Sequence, residues 1–153
     1  MVDQTGATTR HNPWIDLPNA PFWRRLAALL YDSLIVAALL MIATALLLPL
    51  NDGEAFDAGN RWFQLYLVLV VGGFFLLFWR KGGQTLGMRA WKIKLVSHNG
   101  TPPGYAQLLV RGITAALGLL PFGLGWLWSL VDRERLAVHD RLSRSRIVLV
   151  RHQ

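Results

Sequence analysis

The sequence contains no cysteine, and it contains few charged residues for its length. The absence of cysteine excludes disulfide bonds, thiolate zinc sites and cysteine nucleophiles. Only 16% of the 153 residues are Asp, Glu, Lys or Arg, against about 25% in soluble proteins. Long apolar runs alternate with short charged stretches, and this distribution suits a lipid bilayer better than a globular core.

Residues typical of catalytic and metal sites are also scarce. No second histidine stands at metal-ligand spacing from His139, so we expect no metal site. The glycine-containing residues 82–87 lack the Lys-Ser/Thr pair of a phosphate loop, and no serine has an evident base partner. We therefore expect neither an enzyme nor a bound cofactor. The basic residues behind the net charge of +7 flank apolar runs, which indicates lipid headgroups and not nucleic acid.

Two apolar segments are long enough to cross a membrane as helices. In residues 22–50, Asp32 is the only strongly polar side chain after the first turn, and a helix of about 27 residues spans roughly 40 Å. No small-residue cleavage site follows, so we interpret this segment as a retained helix and not a signal peptide. The second segment, residues 61–79, has tryptophans near both ends as interface anchors. An acidic loop, residues 51–60, joins the two.

The third apolar segment decides the topology. Residues 80–104 hold five basic residues and no acid, so the positive-inside rule places them in the cytoplasm. Residues 105–131 are apolar apart from Arg111, and Pro121 and Gly123 mark a bend. A single crossing would place the Arg-rich tail outside, so two shallow helices or a re-entrant hairpin, with both termini in the cytoplasm, are favoured. One crossing, two crossings and a hairpin all stay open at this point.

Two short segments are typical of β-strands. Residues 91–96 alternate apolar and basic side chains, and residues 146–150 are rich in valine. Neither strand satisfies its backbone alone, so we expect them to pair on one side of the membrane. The apolar side chains from Trp91 onward should share one face, with Lys92 and Lys94 turned toward water or headgroups.

Four charged residues are the candidates for function. Asp32 lies about ten residues into the first helix, roughly 15 Å deep, where a lone carboxylate costs about 2.5–3.5 kcal/mol. We expect Arg111 to pair with it across helices, and exchange of a proton or cation is the alternative role for Asp32. Arg25 lies about 10 Å from Asp32 on the same helix face, so its expected partner is Asp140. Simple anchoring of both arginines at the headgroups, and a helix cap at Asp140, stay open.

The order of these residues resembles the RDD family of bacterial membrane proteins, which is named for one arginine and two aspartates. The matching motifs, in chain order, are Phe22-Trp23-Arg24-Arg25 with Ala28 and Asp32, the stretch Gly-Gln-Thr-Leu-Gly-Met-Arg at 83–89, Asn99-Gly100, Arg111, and His139-Asp140-Arg141-Leu142-Ser143. The resemblance covers about residues 20–150. It implies a location in the bacterial inner membrane, and transport of a ligand is the role usually proposed for the family.

The sequence therefore predicts an all-α membrane protein. It should be a small transmembrane helix bundle, with two full crossings plus a bent or re-entrant pair, and a small cytoplasmic two-stranded β element. Residues 1–20 would form a polar cytoplasmic tail, and residues 21–151 the transmembrane domain. Membrane lipids are the expected partners, together with a second copy of the chain or another membrane protein.

Two functions fit this architecture. The first is a contribution to transport of a small ion or solute, which an internal path lined by Asp32 and Arg111 would favour. The second is a membrane scaffold or accessory protein, whose basic cytoplasmic face docks a partner or anionic lipid. A fully packed charge pair and an exposed basic surface would favour the second function.

Overall fold

A computed structural model of the chain describes residues 12–57, 59–119 and 123–150. Its elements in chain order are helix α1 (Phe22–Leu47) with a 3-10 turn (Leu48–Asn51), α2 (Arg61–Gly82), α3 (Leu86–Ala90), strand β1 (Ile93–Ser97), α4 (Tyr105–Leu119), α5 (Leu124–Val131), α6 (Val138–Leu142) and strand β2 (Ser145–Leu149). The described part of the chain is thus mostly helical, with one small sheet.

Among the described residues, two helices, α1 and α2, are long and apolar enough to cross a membrane. Their mean hydropathy reaches 2.5 over Phe22–Asn51 and 2.0 over Arg61–Gly82. No side chain of α2 is buried against the protein, as expected of a helix whose surroundings are lipid. Both predicted segments are confirmed as helices. The complete bundle stays a prediction, because α4 and α5 are shorter than the roughly 20 residues that a crossing needs.

Helices α4 and α5 fold back on each other. The indole nitrogen of Trp126 in α5 donates to the carbonyl oxygen of Ala115 in α4, at 3.4 Å. A Cβ atom added to Gly125 would lie 2.9 Å from the Cα of Gly118, so the two helices meet through their glycines. Gly123 adopts a left-handed φ of 73° before α5, as the expected bend requires. Pro121, the other expected bend residue, lies outside the described residues.

The two strands pair antiparallel, with Ile93 opposite Leu149 and Ser97 opposite Ser145. The predicted pairing of 91–96 with 146–150 is thereby confirmed, with bounds shifted by one or two residues. The inclusion of Trp91 was wrong. Its backbone N–H bonds to the carbonyl of Gly87, and the next residue has a left-handed φ of 54°, so the alternation of faces begins only at Ile93.

An apolar core joins the sheet to the helices. It contains residues from α1, α3, β1, α4 and β2, together with Ala20: Ala20, Ala28, Met88, Ile93, Leu95, Leu108 and Ile147. The backbone of residues 18–20 extends the packing, because Ala20 N–H bonds to Ile147 and Leu149 N–H bonds to Pro18. We call this part of the molecule, formed by residues 18–32, both strands, α3 and α6, the sheet end.

Candidate functional site

Asp140 is shared by two arginines at the sheet end. Nη1 of Arg25 donates to Oδ2 of Asp140 at 2.5 Å, and Nη1 of Arg111 donates to Oδ1 at 2.6 Å. The side chains of both arginines are 3% exposed, and that of Asp140 is 0% exposed. We call these three residues the arginine clasp. The predicted partnership of Arg25 with Asp140 is confirmed.

Each member of the clasp is fixed by a second contact. Nε of Arg25 donates to the carbonyl of Ala20 at 3.0 Å. The carboxylate of Asp140, in the first turn of α6, also accepts the backbone N–H of the N-cap residue Ala137 at 3.0 Å, as the acidic residue of a capping box does. The clasp therefore binds the start of α1 to α4 and α6, three elements that are distant in the sequence.

The position of Arg111 is set by β2 and α2. Its Nη1 also donates to Oγ of Ser145 at 2.9 Å. Its guanidinium group lies 5.6 Å from the ring centroid of Trp79, close enough for a cation–π attraction. The side chain is thus bound on several sides and is not free to move along a path.

The protonation states of Asp140 and His139 limit the positive charge that is buried at the clasp. Burial acts to raise the pKa of Asp140, but Arg111 and Arg25 outweigh that effect and hold the pKa below its usual range. Burial, followed by the positive charge of Arg111, lowers the pKa of His139 to about 3. His139 is therefore neutral at pH 7, and its ring packs at a tilt against Trp126, with ring centroids 4.8 Å apart. Because His139 is neutral, it adds no third positive charge beside the two arginines of the clasp.

The prediction that Asp32 pairs with Arg111 was wrong. Oδ1 of Asp32 accepts the backbone N–H of Gly87 at 2.8 Å, and Oδ2 accepts the hydroxyl of Thr85. Within residues 12–57, 59–119 and 123–150, no basic side chain forms an ion pair with Asp32. The physical reason is that α6 brings Asp140 beneath α4, so Arg111 already has a buried carboxylate, whereas Asp32 faces α3.

The depth expected for Asp32 also changes. Thr85 and Gly87 follow the end of α2 at Gly82, so Asp32 lies level with the loop after α2. The candidate span that begins at Phe22 has 30 residues, or about 45 Å of helix, which exceeds a hydrocarbon layer of about 30 Å. The first three turns of α1 pack within the sheet end, and the remainder is long enough to cross.

Close packing of α3 on α1 depends on Gly87. A Cβ atom at this position would lie 2.9 Å from Cγ of Asp32 and would overlap the carbonyl oxygen of Ala28. Thr85 caps α3 by accepting the backbone N–H of Met88 at 3.2 Å. The hydroxyl of Thr85 thus serves both the cap and Asp32.

Sequence reasoning missed four residues of this site: Thr85, Gly87, His139 as a neutral side chain, and Ser145. A threonine three residues before Met88 is a recognisable cap signal. The contact of Thr85 with Asp32 has no such signal, because 53 residues separate the two. His139 is adjacent to Asp140, but its burial depends on Trp126 and was not visible in the pattern.

A basic cleft of about 610 Å³ lies beside the clasp. Its walls come from one end of the sheet, the neighbouring loops, α4 and α6. Its lining includes His98, Asn99, Gln107, Glu134, Arg141, Arg144 and Arg146. Arg141 pairs with Asp132 at 2.6 Å, and Arg146 donates to the backbone carbonyls of Trp14 and Ile15. Arg144 is exposed and has no acidic partner in the described part of the chain. As for metals, the described residues contain no group of three His, Cys, Asp or Glu side chains placed to hold an ion.

Comparison with known proteins identifies the family. The profile of the RDD family matches residues 19–144, which include the arginine clasp and Asp32. A protein of Bacillus subtilis (strain 168), described as uncharacterized protein YckC, is 30% identical over 129 residues, covering 81% of this chain and 80% of its own. No solved structure matches the chain. The chain therefore belongs to the RDD family.

Proposed function

We propose that this protein is a docking protein of the bacterial inner membrane, whose basic cytoplasmic face binds an acidic soluble partner. The observation that carries the proposal is the closure of the arginine clasp. Arg25 and Arg111 are each bonded to Asp140, and all three are buried, so their role is structural. The charge that a partner can reach is the basic charge of the cleft, and the proposal assigns the protein no catalytic activity.

The distribution of charge in the cleft supports an acidic partner. Three arginines line it, against Glu134 and the clasp carboxylate. Asp140 is neutralised by its two arginines, so the net charge of the lining is positive. Complementary charge of this kind favours fast and selective association.

The sheet supports the topology in the proposal. Residues 18–20 bond to β2, and β2 pairs with β1, so the N-terminal segment, residues 80–104 and the C-terminal segment gather at one end. These segments carry most of the basic residues of the chain. By the positive-inside rule, this end faces the cytoplasm, and α1 and α2 cross the membrane.

Photo-crosslinking in cells tests the docking proposal. A photoreactive phenylalanine analogue replaces His98, which is exposed in the cleft, and Arg144→Glu is introduced beside it. We expect an adduct with a soluble protein that weakens about tenfold on charge reversal. Arg61→Glu, at the opposite end of α2, is the matched control and should leave the adduct unchanged. The proposal would be contradicted if Arg144→Glu left the yield of the adduct unchanged, or if Arg61→Glu lowered the yield equally.

Transport of a small cation or proton is the second candidate, and Asp32 is the observation that favours it. Its buried carboxylate is held by a hydroxyl and an amide and not by a cation. A buried carboxylate with no fixed counter-cation is a candidate to exchange a proton or a cation. Because the described chain supplies two helices able to cross, a path would need a second copy or another membrane protein.

Flux measurements separate this candidate from docking. The protein is reconstituted in liposomes that contain a pH-sensitive dye, and a K⁺ or Na⁺ gradient is applied. Transport predicts a flux that Asp32→Asn abolishes and that Asp57→Asn, in the loop between α1 and α2, leaves intact. Docking alone predicts no flux above that of empty liposomes from any of the three proteins.

A further inference from the structure

We infer that the groove between the end of α2 and α3 binds one anionic phospholipid from the membrane. The groove has a volume of about 430 Å³, and its lining includes Leu77, Phe78, Lys81, Thr85, Leu86 and Arg89. It shares no lining residue with the basic cleft, so the inference does not depend on the proposed docking function.

The groove is apolar on one side and basic on the other. Leu77, in the last turns of α2, is 53% exposed, and Leu86, at the start of α3, is 42% exposed. Both lie where a helix apolar enough to cross a membrane comes to its end. Acyl chains running along α2 would cover Leu77 and Phe78, while the headgroup would reach Lys81 and Arg89.

The free charge in the groove is positive. Lys81 and Arg89 are exposed, no acidic residue lines the groove, and neither side chain forms an ion pair within the described ranges. The polar side chains of the floor already have partners, since Gln84 donates to the carbonyl of Ile93 and Thr85 donates to Asp32. A phosphate group would thus find two cations and no competing carboxylate.

The dimensions favour a lipid over a free anion. The groove holds a headgroup and leaves the chains outside, along the surface of α2. A small anion such as phosphate would use only Lys81 and Arg89, and would leave Leu77 and Phe78 uncovered. Basic pockets beside transmembrane helices on the cytoplasmic side are a known form of anionic-lipid site.

A bound lipid would also stabilise the sheet end. It would contact α2 through Lys81 and α3 through Arg89, and so bridge two elements. Helix α3 in turn holds Asp32 through Thr85 and Gly87. A ligand that binds the folded state and not the unfolded state raises the apparent stability. The lipid should therefore raise the temperature of unfolding.

The test uses the full chain purified in a neutral detergent. Native mass spectrometry counts retained phosphatidylglycerol, with phosphatidylcholine as the neutral comparison, and thermal unfolding is followed in parallel. We expect one phosphatidylglycerol per chain and a higher unfolding temperature. Lys81→Gln with Arg89→Gln should weaken retention at least tenfold and remove the thermal shift. Arg133→Gln with Arg135→Gln removes the same charge from the exposed loop before α6 and should leave both intact.

Lys81→Arg with Arg89→Lys keeps the charge and should retain the lipid. The Gln variant without lipid should unfold at the same temperature as the lipid-free parent, which excludes misfolding as the cause of its loss of lipid. Three results would overturn the inference: equal weakening by the Arg133 and Arg135 pair, equal retention of phosphatidylcholine, or an equal thermal shift with inorganic phosphate in place of lipid. The first would indicate diffuse attraction, the second a site that ignores charge, and the third a site for small anions.

Discussion

Asp140→Asn should be the most destabilising charge-removing substitution in the arginine clasp. Asparagine has nearly the same shape, but it leaves Arg25 and Arg111 buried with no counter-charge. Removing one partner of a buried ion pair typically costs about 3–5 kcal/mol. Arg25→Gln or Arg111→Gln should cost less, about 1–3 kcal/mol, because Asp140 then keeps one guanidinium partner at 2.5 or 2.6 Å.

Thermal unfolding of the purified variants in detergent, followed by circular dichroism, measures this order. For a domain of this size, a loss of 3–5 kcal/mol lowers the midpoint by about 6–20 °C. Asp132→Asn is the control, because the partner of Asp132, Arg141, is 52% exposed, and its midpoint should stay near that of the parent. The reasoning is refuted if Asp140→Asn unfolds with the parent, or if either arginine variant is less stable than Asp140→Asn.

Three further predictions concern the surroundings of the clasp. Gly87→Ala should destabilise by about 1–3 kcal/mol through overpacking against Asp32, whereas Gly82→Ala, with open space around it, should not; denaturant unfolding compares them. Acidification from pH 7 to pH 5 should lower the free energy of unfolding of the parent protein by about 2 kcal/mol because of His139. The His139→Leu variant should not show this decrease. The sign follows because the pKa of His139 is about 3 when folded and about 6.5 when unfolded, so the unfolded chain takes up the proton first. Asp32→Asn should cost about 1–3 kcal/mol by disturbing the bonds to Thr85 and Gly87, and Asp57→Asn should change the unfolding midpoint little.

Helices and strands were largely predictable from the sequence because their signals are local. The lengths of the apolar runs predicted α1 and α2, and Pro49 falls in the 3-10 turn that ends the first run. Alternation of side chains predicted the first strand, a valine-rich apolar run predicted the second, and the need to satisfy their backbones predicted the pairing. Trp91 fits the alternation equally well, but a left-handed residue after it breaks the strand. Periodicity does not reveal such a local break.

Partner choice among the buried charges was only half predictable. Arg25 could be matched to Asp140 because Arg25 and Asp32 lie about 10 Å apart on one helix, which is too far for a direct ion pair. Arg111 could not be assigned, since its partner depends on how α6 folds beneath α4, and 29 residues separate Arg111 from Asp140. The sequence offered Asp32 as the other deep charge. Nothing in the sequence indicated that Thr85 and Gly87 would donate hydrogen bonds to the carboxylate of Asp32 instead.

The claim on which the rest depends is that the strands after α2 and after α6 meet, so that the basic segments gather at one end. Because the chain has no cysteine, a single engineered pair reports this directly. Lys94 lies opposite Val148, and Cα atoms of opposite residues in antiparallel strands are about 4.5–5.5 Å apart, within disulfide range. Lys94→Cys with Val148→Cys should form a disulfide rapidly when isolated membranes are oxidised, as shown by protection from a maleimide-polymer label that is added after denaturation in SDS. Lys94→Cys with Ser129→Cys should stay labelled. Equal labelling of the two pairs after oxidation would contradict the account.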